Sequence, residues 1–132
     1  MLQELYITNF VLIDKVTINL CGRLNVFSGA TGVGKSMVIG ALNFILGGRA
    51  TADLVRSGKE EATVIGKFFI TDESLLKRIK KVTDNDSTQE ELLLQRSIDS
   101  HGRSRCRLND IPITVSMLKE IGEILVNIHG QR

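Results

Sequence analysis

The sequence predicts an α/β fold in which two strands precede a third strand, a glycine-rich loop and a helix. Residues 29–36 fit Gly-x-x-x-x-Gly-Lys-Ser, the pattern of a phosphate-binding P-loop. A short β-prone run at residues 24–28 precedes this loop, and apolar residues at helical spacing follow it over 37–46. Two further β-prone runs, at 2–7 and 11–20, lie ahead of the loop.

The loop has the residues that binding a phosphate requires. Its glycines let the backbone approach an anion closely, and its N–H groups lie at a helix N-terminus where the helix dipole favours negative charge. Lys35 is expected to reach the β- and γ-phosphates of a nucleotide, and the Ser36 hydroxyl to ligate Mg²⁺. The alternative is a glycine-rich turn that caps a helix, but such a turn has no need for Lys-Ser after its last glycine. Nucleotide binding follows from the motif, whereas hydrolysis is a separate claim.

Composition sets the class of protein. The chain has 132 residues, 42% of them hydrophobic and 24% charged, which suits one soluble domain. The net charge of +2 is too small to indicate a nucleic-acid partner by itself. Cys21 and Cys106 are far apart and predict reduced thiols of an intracellular protein without a metal site. No apolar run is long enough to span a membrane and the N-terminus does not resemble a signal peptide, so a cytoplasmic location is expected.

Apolar alternation and helical spacing predict the remaining elements. Strands are predicted at residues 2–7, 11–20, 24–28, 62–70, 91–98, 103–108 and 124–128. Helices are predicted at residues 37–46, 73–82 and 115–123, with a short helical turn at 52–55.

Turn and cap residues set the boundaries. Turns are expected at residues 9–10, 99–102 and 109–110, and a surface loop at 83–88. Gly47 and Gly48 predict the C-terminal cap of the first helix. Asp72 and Thr114 are expected to cap the N-termini of the other two.

Three arginines alternate along one predicted strand. Arg103, Arg105 and Arg107 share one face if this stretch is extended. That face could contact the phosphates of DNA or of a nucleotide, or it could be the solvated side of an edge strand. The sequence leaves both interpretations open, and little aromatic interleaving supports stacking on single strands.

Other polar residues have ordinary interpretations. Asp72 and Glu73 follow an apolar strand, as the Mg²⁺-binding acids of a Walker B motif do, but Thr71 breaks the run and a helix cap is the better interpretation. His101 is expected to be a solvated turn residue, and His129 falls at the end of the last predicted strand. Gln131 comes just after that strand, where a glutamine can ligate Mg²⁺ or orient the attacking water, but on spacing alone it is expected to be a surface glutamine.

Several segments together resemble the RecN family of bacterial DNA repair proteins. They occur in the family's order and cover nearly the whole chain: residues 5–10, 22–26, 29–36, 46–50, 102–109 and 125–131. RecN proteins resemble SMC proteins, with an ABC-type ATPase head split by a long antiparallel coiled coil, and act in recombinational repair of DNA double-strand breaks. The resemblance implies the N-terminal lobe of such a head, a β-subdomain of antiparallel strands joined to the P-loop strand and helix.

The resemblance also implies roles by position. ATP would be held by Gly29, Ala30, Thr31, Gly32, Val33, Gly34, Lys35, Ser36 and the Q-loop residue Gln131. Ser36 and Gln131 would ligate Mg²⁺, Asn9 and Phe10 would lie near the base, and Arg49 near the nucleotide or DNA. Ala30, Val33 and Arg132 depart from the family's usual Glu, Ala and His, and neither of the two loop positions supplies a required phosphate ligand.

The resemblance implies a partial domain over residues 1–132, which reaches the Q-loop without coiled coil, signature motif or true Walker B. A truncated or split gene, or a shortened version of a longer protein, would give such a chain. It is expected to bind ATP and Mg²⁺ and to be unable to hydrolyse ATP alone. Expected partners are DNA ends, the missing C-terminal lobe and a second head in a homodimer, in the bacterial cytoplasm at the nucleoid and without a membrane.

Two other functions stay open. A self-contained P-loop kinase or GTPase would need its own Mg²⁺-binding acid, and only Asp72 is available, with no Asn-Lys-x-Asp guanine motif. A non-catalytic module could instead bind DNA or a partner head through the arginine strand.

Overall fold

One antiparallel sheet and three helices make up the part of the chain that the computed structural model describes, residues 2–19, 32–84 and 90–129. The strands are β1 (Leu2–Phe10), β2 (Ile13–Asn19), β3 (Glu61–Phe69), β4 (Glu91–Asp99), β5 (Ser104–Leu108) and β6 (Ile111–Ile113). They pair in the order β2-β1-β3-β4-β5-β6, each antiparallel to its neighbour. The helices are α1 (Gly32–Ile45), α2 (Glu73–Thr83) and α3 (Val115–His129), and a 3₁₀ turn covers Ala52–Leu54.

Alternation along the strands decides which face of the sheet carries the core. In β3 and β4 every second residue is buried, with Val64 and Leu94 fully inaccessible. Helix α1 packs on β3 and β4, α3 packs on β5, and α2 packs against α3. All three helices contribute to one buried apolar cluster, which includes Phe44, Ile79 and Leu118. The opposite face of the sheet is free of these helices.

The sequence placed the first turn two residues too early. Asn9 and Phe10 are the last residues of β1, and the turn lies at Val11 and Leu12, because Phe10 pairs with Ile13 across a two-residue hairpin. Asn9 has a φ of 54° and Val11 one of 55°, so the left-handed backbone that a turn residue tolerates begins inside the strand.

The predicted strand at residues 124–128 is wrong. Helix α3 continues unbroken through this stretch to His129, which therefore ends a helix and not a strand. Leu118, Ile121 and Leu125 are buried at helical spacing, so packing of one helix face outweighs the strand preference of the Ile and Val residues.

The other elements agree with prediction to within a few residues, with one addition. Strand β6, which the sequence did not predict, is only three residues long and contains Pro112, as an edge strand tolerates. The strand predicted at 24–28 and most of the loop predicted at 83–88 lie outside the described residues.

Candidate functional site

The described part of the predicted phosphate loop forms the first turn of α1. Gly32, Val33, Gly34, Lys35 and Ser36 open this helix, whereas Gly29, Ala30, Thr31 and Gln131 lie outside the described residues. The side chains of Lys35 and Ser36 are both exposed, and the first turn of α1 carries no acidic residue. Because the N-terminal turn of a helix presents N–H groups without helical partners, this turn is suited to bind an anion.

A cavity of about 510 Å³ lies directly beside Ser36. Its walls come from the β1–β2 hairpin, from one face of α1 and from the segment after α1, and most of them are apolar. The lining residues are Phe10, Val11, Leu12, Ser36, Met37, Gly40, Asn43, Phe44, Arg49 and Leu54. The cavity thus brings together three residues that were predicted to lie near the nucleotide: Phe10, Ser36 and Arg49.

The other walls of this cavity were not predicted from the sequence. Leu12 is 70% exposed at the tip of the β1–β2 hairpin, where a polar turn residue would be usual. Two apolar residues in a two-residue turn are therefore the signal that could have located this wall. Nothing in the sequence distinguishes Met37 or Asn43 from other helix residues, because their role depends on the hairpin packed opposite them.

Backbone hydrogen bonds fix the hairpin to the segment after α1. The Val11 N–H donates to the Leu54 carbonyl over 2.7 Å, and the Arg56 N–H donates to the Asn9 carbonyl over 2.8 Å. Phe10 also forms an isolated bridge with Val55. These contacts set the distance between two walls of the cavity without using any side chain that faces it.

The C-terminus of α1 is closed by the glycine cap that the sequence predicted. Gly47 has a φ of 96°, its N–H donates to the Phe44 carbonyl, and the Gly48 N–H donates to the Asn43 carbonyl over 2.8 Å. This pair of hydrogen bonds is a Schellman motif, which only a residue tolerant of positive φ forms without strain. The motif turns the chain sharply and brings Arg49 back to the cavity.

A buried arginine lies beneath the cavity. Arg96 of β4 is 3% exposed, and its guanidinium carbon lies 4.5 Å from the centroid of the Phe44 ring. The Phe44 ring in turn lies 5.5 Å from that of Phe10, with the two planes tilted by 49°. Burial lowers the pKa of Arg96, although arginine stays charged in proteins.

Asp72 caps α2, as the sequence indicated. Its carboxylate accepts hydrogen bonds from the Ser74 N–H over 2.9 Å and from the Ser74 hydroxyl over 2.8 Å. The hydrogen bond from the Ser74 hydroxyl, and to a lesser extent the one from the Ser74 N–H, lowers the pKa of Asp72. These bonds make Asp72 the N-terminal cap of α2, and this structural role accounts for the carboxylate without Mg²⁺.

The three arginines lie on the sheet face that the helices leave open. Cys106 and Leu108 of β5 point into the core, so Arg105 and Arg107 project to the other side, and Arg103, which directly precedes β5, is exposed like them. Arg105 and Arg107 therefore lie on the opposite side of the sheet from α1.

The turn before β5 and the arginines in and beside β5 form hydrogen bonds and an ion pair with residues close in sequence. Arg103 Nε lies 3.2 Å from Asp99 Oδ2, and Arg107 Nη1 donates to the Asp110 carbonyl over 3.3 Å. His101 is exposed in this turn, as predicted, and its N–H donates to Asp99.

The described ranges contain neither a metal-binding cluster nor a membrane-spanning helix. Within residues 2–19, 32–84 and 90–129, no three His, Cys, Asp or Glu side chains lie close enough to hold a metal ion. None of the helices described there is both long and apolar enough to cross a membrane.

The described sheet and helices have the fold of the N-terminal lobe of an SMC- or ABC-type ATPase head, a P-loop NTPase fold. A solved structure of SMC ATPases, from work on their ATP-driven dimerization, superposes with a TM-score of 0.72. It is 24% identical, and the match covers 93% of this chain and 78% of the solved one. The predicted fold class is confirmed.

The family model described as an AAA domain matches residues 4–126, and the chain belongs to this family. The chain is also 36% identical to the DNA repair protein RecN of Bacillus subtilis and 37% identical to that of Vibrio cholerae, over 99% of its length in both cases. It spans 23% and 24% of the lengths of these two relatives. The predicted resemblance to RecN is confirmed.

Proposed function

We propose that this chain is the ATP-binding part of a RecN-like ATPase that acts in recombinational repair of DNA double-strand breaks. The observation that carries the proposal is the exposed pair Lys35 and Ser36 in the first turn of α1, beside an apolar cavity of about 510 Å³. A helix N-terminus suits the phosphates of a nucleotide, and an apolar cavity next to it suits the flat base.

Each part of the site has a role in this proposal. The N–H groups of the first turn of α1 and the Lys35 ammonium bind the phosphates, and the apolar cavity backed by Phe10 and Phe44 holds the base. Ser36, together with Gln131, would hold Mg²⁺, which would supply positive charge beside the phosphates. The residues present fit this ion, since a serine hydroxyl and an amide oxygen are the hard ligands that Mg²⁺ prefers.

Hydrolysis needs further groups. In this proposal a C-terminal lobe supplies the Walker B carboxylates, and a second head supplies the signature motif across a homodimer, with DNA ends as the substrate of the assembly. The chain by itself then binds ATP with negligible turnover, in the cytoplasm at the nucleoid. Sustained ATP hydrolysis by the purified chain alone would contradict this part of the proposal.

Changing Lys35 to Ala is expected to weaken Mg²⁺–ATP binding by about 100-fold. Lysine supplies charge-assisted hydrogen bonds worth roughly 1.5–3 kcal/mol each, and every 1.4 kcal/mol is a factor of ten. Isothermal titration calorimetry measures the change, with Lys59→Ala as the control, since Lys59 is an exposed lysine in a loop. Equal affinities of the Lys35→Ala variant and the parent would contradict the proposed site.

A second candidate function rests on the open face of the sheet. We infer it from Arg103, Arg105 and Arg107, three exposed cations on the side of the sheet opposite α1, α2 and α3. Guanidinium groups at this spacing suit the phosphates of a nucleic acid backbone. Arg103 is already paired with Asp99, so Arg105 and Arg107 are the two positions chosen for the test.

Changing Arg105 and Arg107 together to Ala is expected to make duplex DNA binding less dependent on salt. Removing one phosphate contact lowers the slope of log K against log salt by about 0.9, so the slope of the double variant should be shallower by about 2. Fluorescence anisotropy at several salt concentrations measures the slope, with Arg78→Ala on α2 as the control. An unchanged slope would show that β5 does not contact DNA.

A further inference from the structure

Arg96 is a buried charge that the proposed phosphate contacts do not use. It lies on the core face of β4, 3% exposed, between Leu94 and Ile98 along that face. Within the described ranges no carboxylate forms an ion pair with it. A buried ion without a counter-ion is costly, so the hydrogen bonds that compensate Arg96 indicate where it acts.

Those hydrogen bonds converge on the end of α1. Arg96 Nη1 donates to the Phe44 carbonyl over 2.8 Å and to the Gly48 carbonyl over 2.6 Å. The other two guanidinium nitrogens reach the Ser104 hydroxyl at 3.3–3.4 Å. Carbonyls at a helix C-terminus carry partial negative charge, so the end of α1 takes the place of a counter-ion.

The same contacts reach the walls of the cavity. The Arg96 guanidinium lies against the Phe44 ring, which also packs against the Phe10 ring. Gly48, whose carbonyl Arg96 binds, directly precedes Arg49. Phe44 and Arg49 both line the cavity beside Ser36, so one side chain holds two wall residues that are distant from its own strand in sequence.

We propose that Arg96 is a positioning residue of the nucleotide site: by binding the Phe44 carbonyl of α1 and the Gly48 carbonyl just beyond the helix, it fixes the cavity wall that Phe44 and Arg49 form beside the part of the ligand beyond the phosphates. The proposal rests on the proposed nucleotide binding. It assigns Arg96 no contact with the ligand. It also predicts that the phosphate-binding turn, at the other end of α1, does not depend on Arg96.

The test compares two ligands that differ only in what the cavity would hold. In the full chain, Arg96→Gln is expected to weaken Mg²⁺–ATP binding by roughly tenfold, the effect typical of losing a group that orients a ligand-contacting residue. Binding of inorganic triphosphate with Mg²⁺ should change by less than about threefold, because the first turn of α1 is unaltered. Arg96→Lys, which keeps the charge but not the fork of donors, should lie between Arg96→Gln and the parent.

Two results would overturn the proposal. Unchanged ATP affinity in both variants would show that Phe44 and Arg49 do not need Arg96, and equal weakening of ATP and triphosphate would show a merely structural role. If Arg96→Gln does not fold, the ratio of the two affinities in Arg96→Lys decides between the same outcomes.

Hydrogen exchange in the ligand-free chain gives a readout that does not depend on nucleotide. Arg96→Lys or Arg96→Gln should speed exchange at the Gly47 and Gly48 amides and leave the β1–β3 amides unchanged. Unchanged exchange at the two glycines would overturn the inference on its own. Failure of the parent to bind ATP would instead overturn the proposed function, and the exchange data would still decide whether Arg96 holds the end of α1.

Discussion

Replacing Phe44 with Ala is expected to lower the free energy of unfolding by about 3–5 kcal/mol, the range for truncating a buried phenylalanine. The ring is 1% exposed and contacts the Phe10 ring at 5.5 Å and the Arg96 guanidinium at 4.5 Å. The truncation therefore removes an aromatic pair and a cation–π contact together with the apolar burial. It also enlarges the cavity beside Ser36, so ATP binding should weaken.

Denaturation in urea, followed by circular dichroism, measures this change. Phe69→Ala is the matched control, since Phe69 lies at the end of β3 with 39% of its surface exposed. Truncating Phe69 should lower the free energy of unfolding by only about 1 kcal/mol, because less of its ring is buried in the folded protein. Equal losses at the two positions would show that Phe44 does not anchor α1 to the core.

Replacing Gly122 with Ala is expected to destabilise the protein by about 2–3 kcal/mol, although alanine is the better helix former by about 1 kcal/mol. A Cβ at this position of α3 would lie 2.0 Å from the Leu46 carbonyl oxygen and 2.8 Å from its carbonyl carbon. The obstacle is backbone at the capped end of α1, so it cannot rotate away as a side chain would. Helix α3 must then move off α1.

Gly40→Ala is the matched control for this helix-to-helix contact. Gly40 is also inside a helix, but the nearest atom to its added Cβ is Phe10 Cε2 at 3.8 Å, an ordinary contact. This variant should be more stable than the parent by up to about 1 kcal/mol. Thermal unfolding of the two variants should thus shift in opposite directions. A stabilised Gly122→Ala variant would show that α1 and α3 do not approach as closely as described.

Local rules were sufficient where the pattern of one element decides its structure. Strands β3 and β4 follow from alternation, α1 from the motif and its helical spacing, and the cap at Gly47 from glycine's tolerance of positive φ. They failed where two preferences compete. In the second half of α3, Ile and Val favour a strand, and only the buried face that runs on from Leu118 through Leu125 decides for a helix.

The candidate site likewise has a part that the sequence predicts and a part that it does not. Lys35 and Ser36 could be assigned from the motif because their chemistry needs only neighbours in sequence. The cavity could not, because its walls come from a hairpin, a helix and a segment whose approach depends on the hydrogen bonds of Val11 and Arg56. Arg96 does stand out in the sequence of β4, because it is the charged residue in an alternating series whose other members, Leu92, Leu94 and Ile98, are apolar.

The central claim is that the first turn of α1 binds the phosphates of ATP. The most direct measurement is a titration of the ¹⁵N-labelled chain with Mg²⁺–ATP, following the shift of each backbone amide. The claim predicts the largest changes at Gly34, Lys35 and Ser36, with smaller ones at Met37 and Phe10 along the cavity. Unmoved amides throughout α1, or changes confined to the arginines of β5, would contradict it.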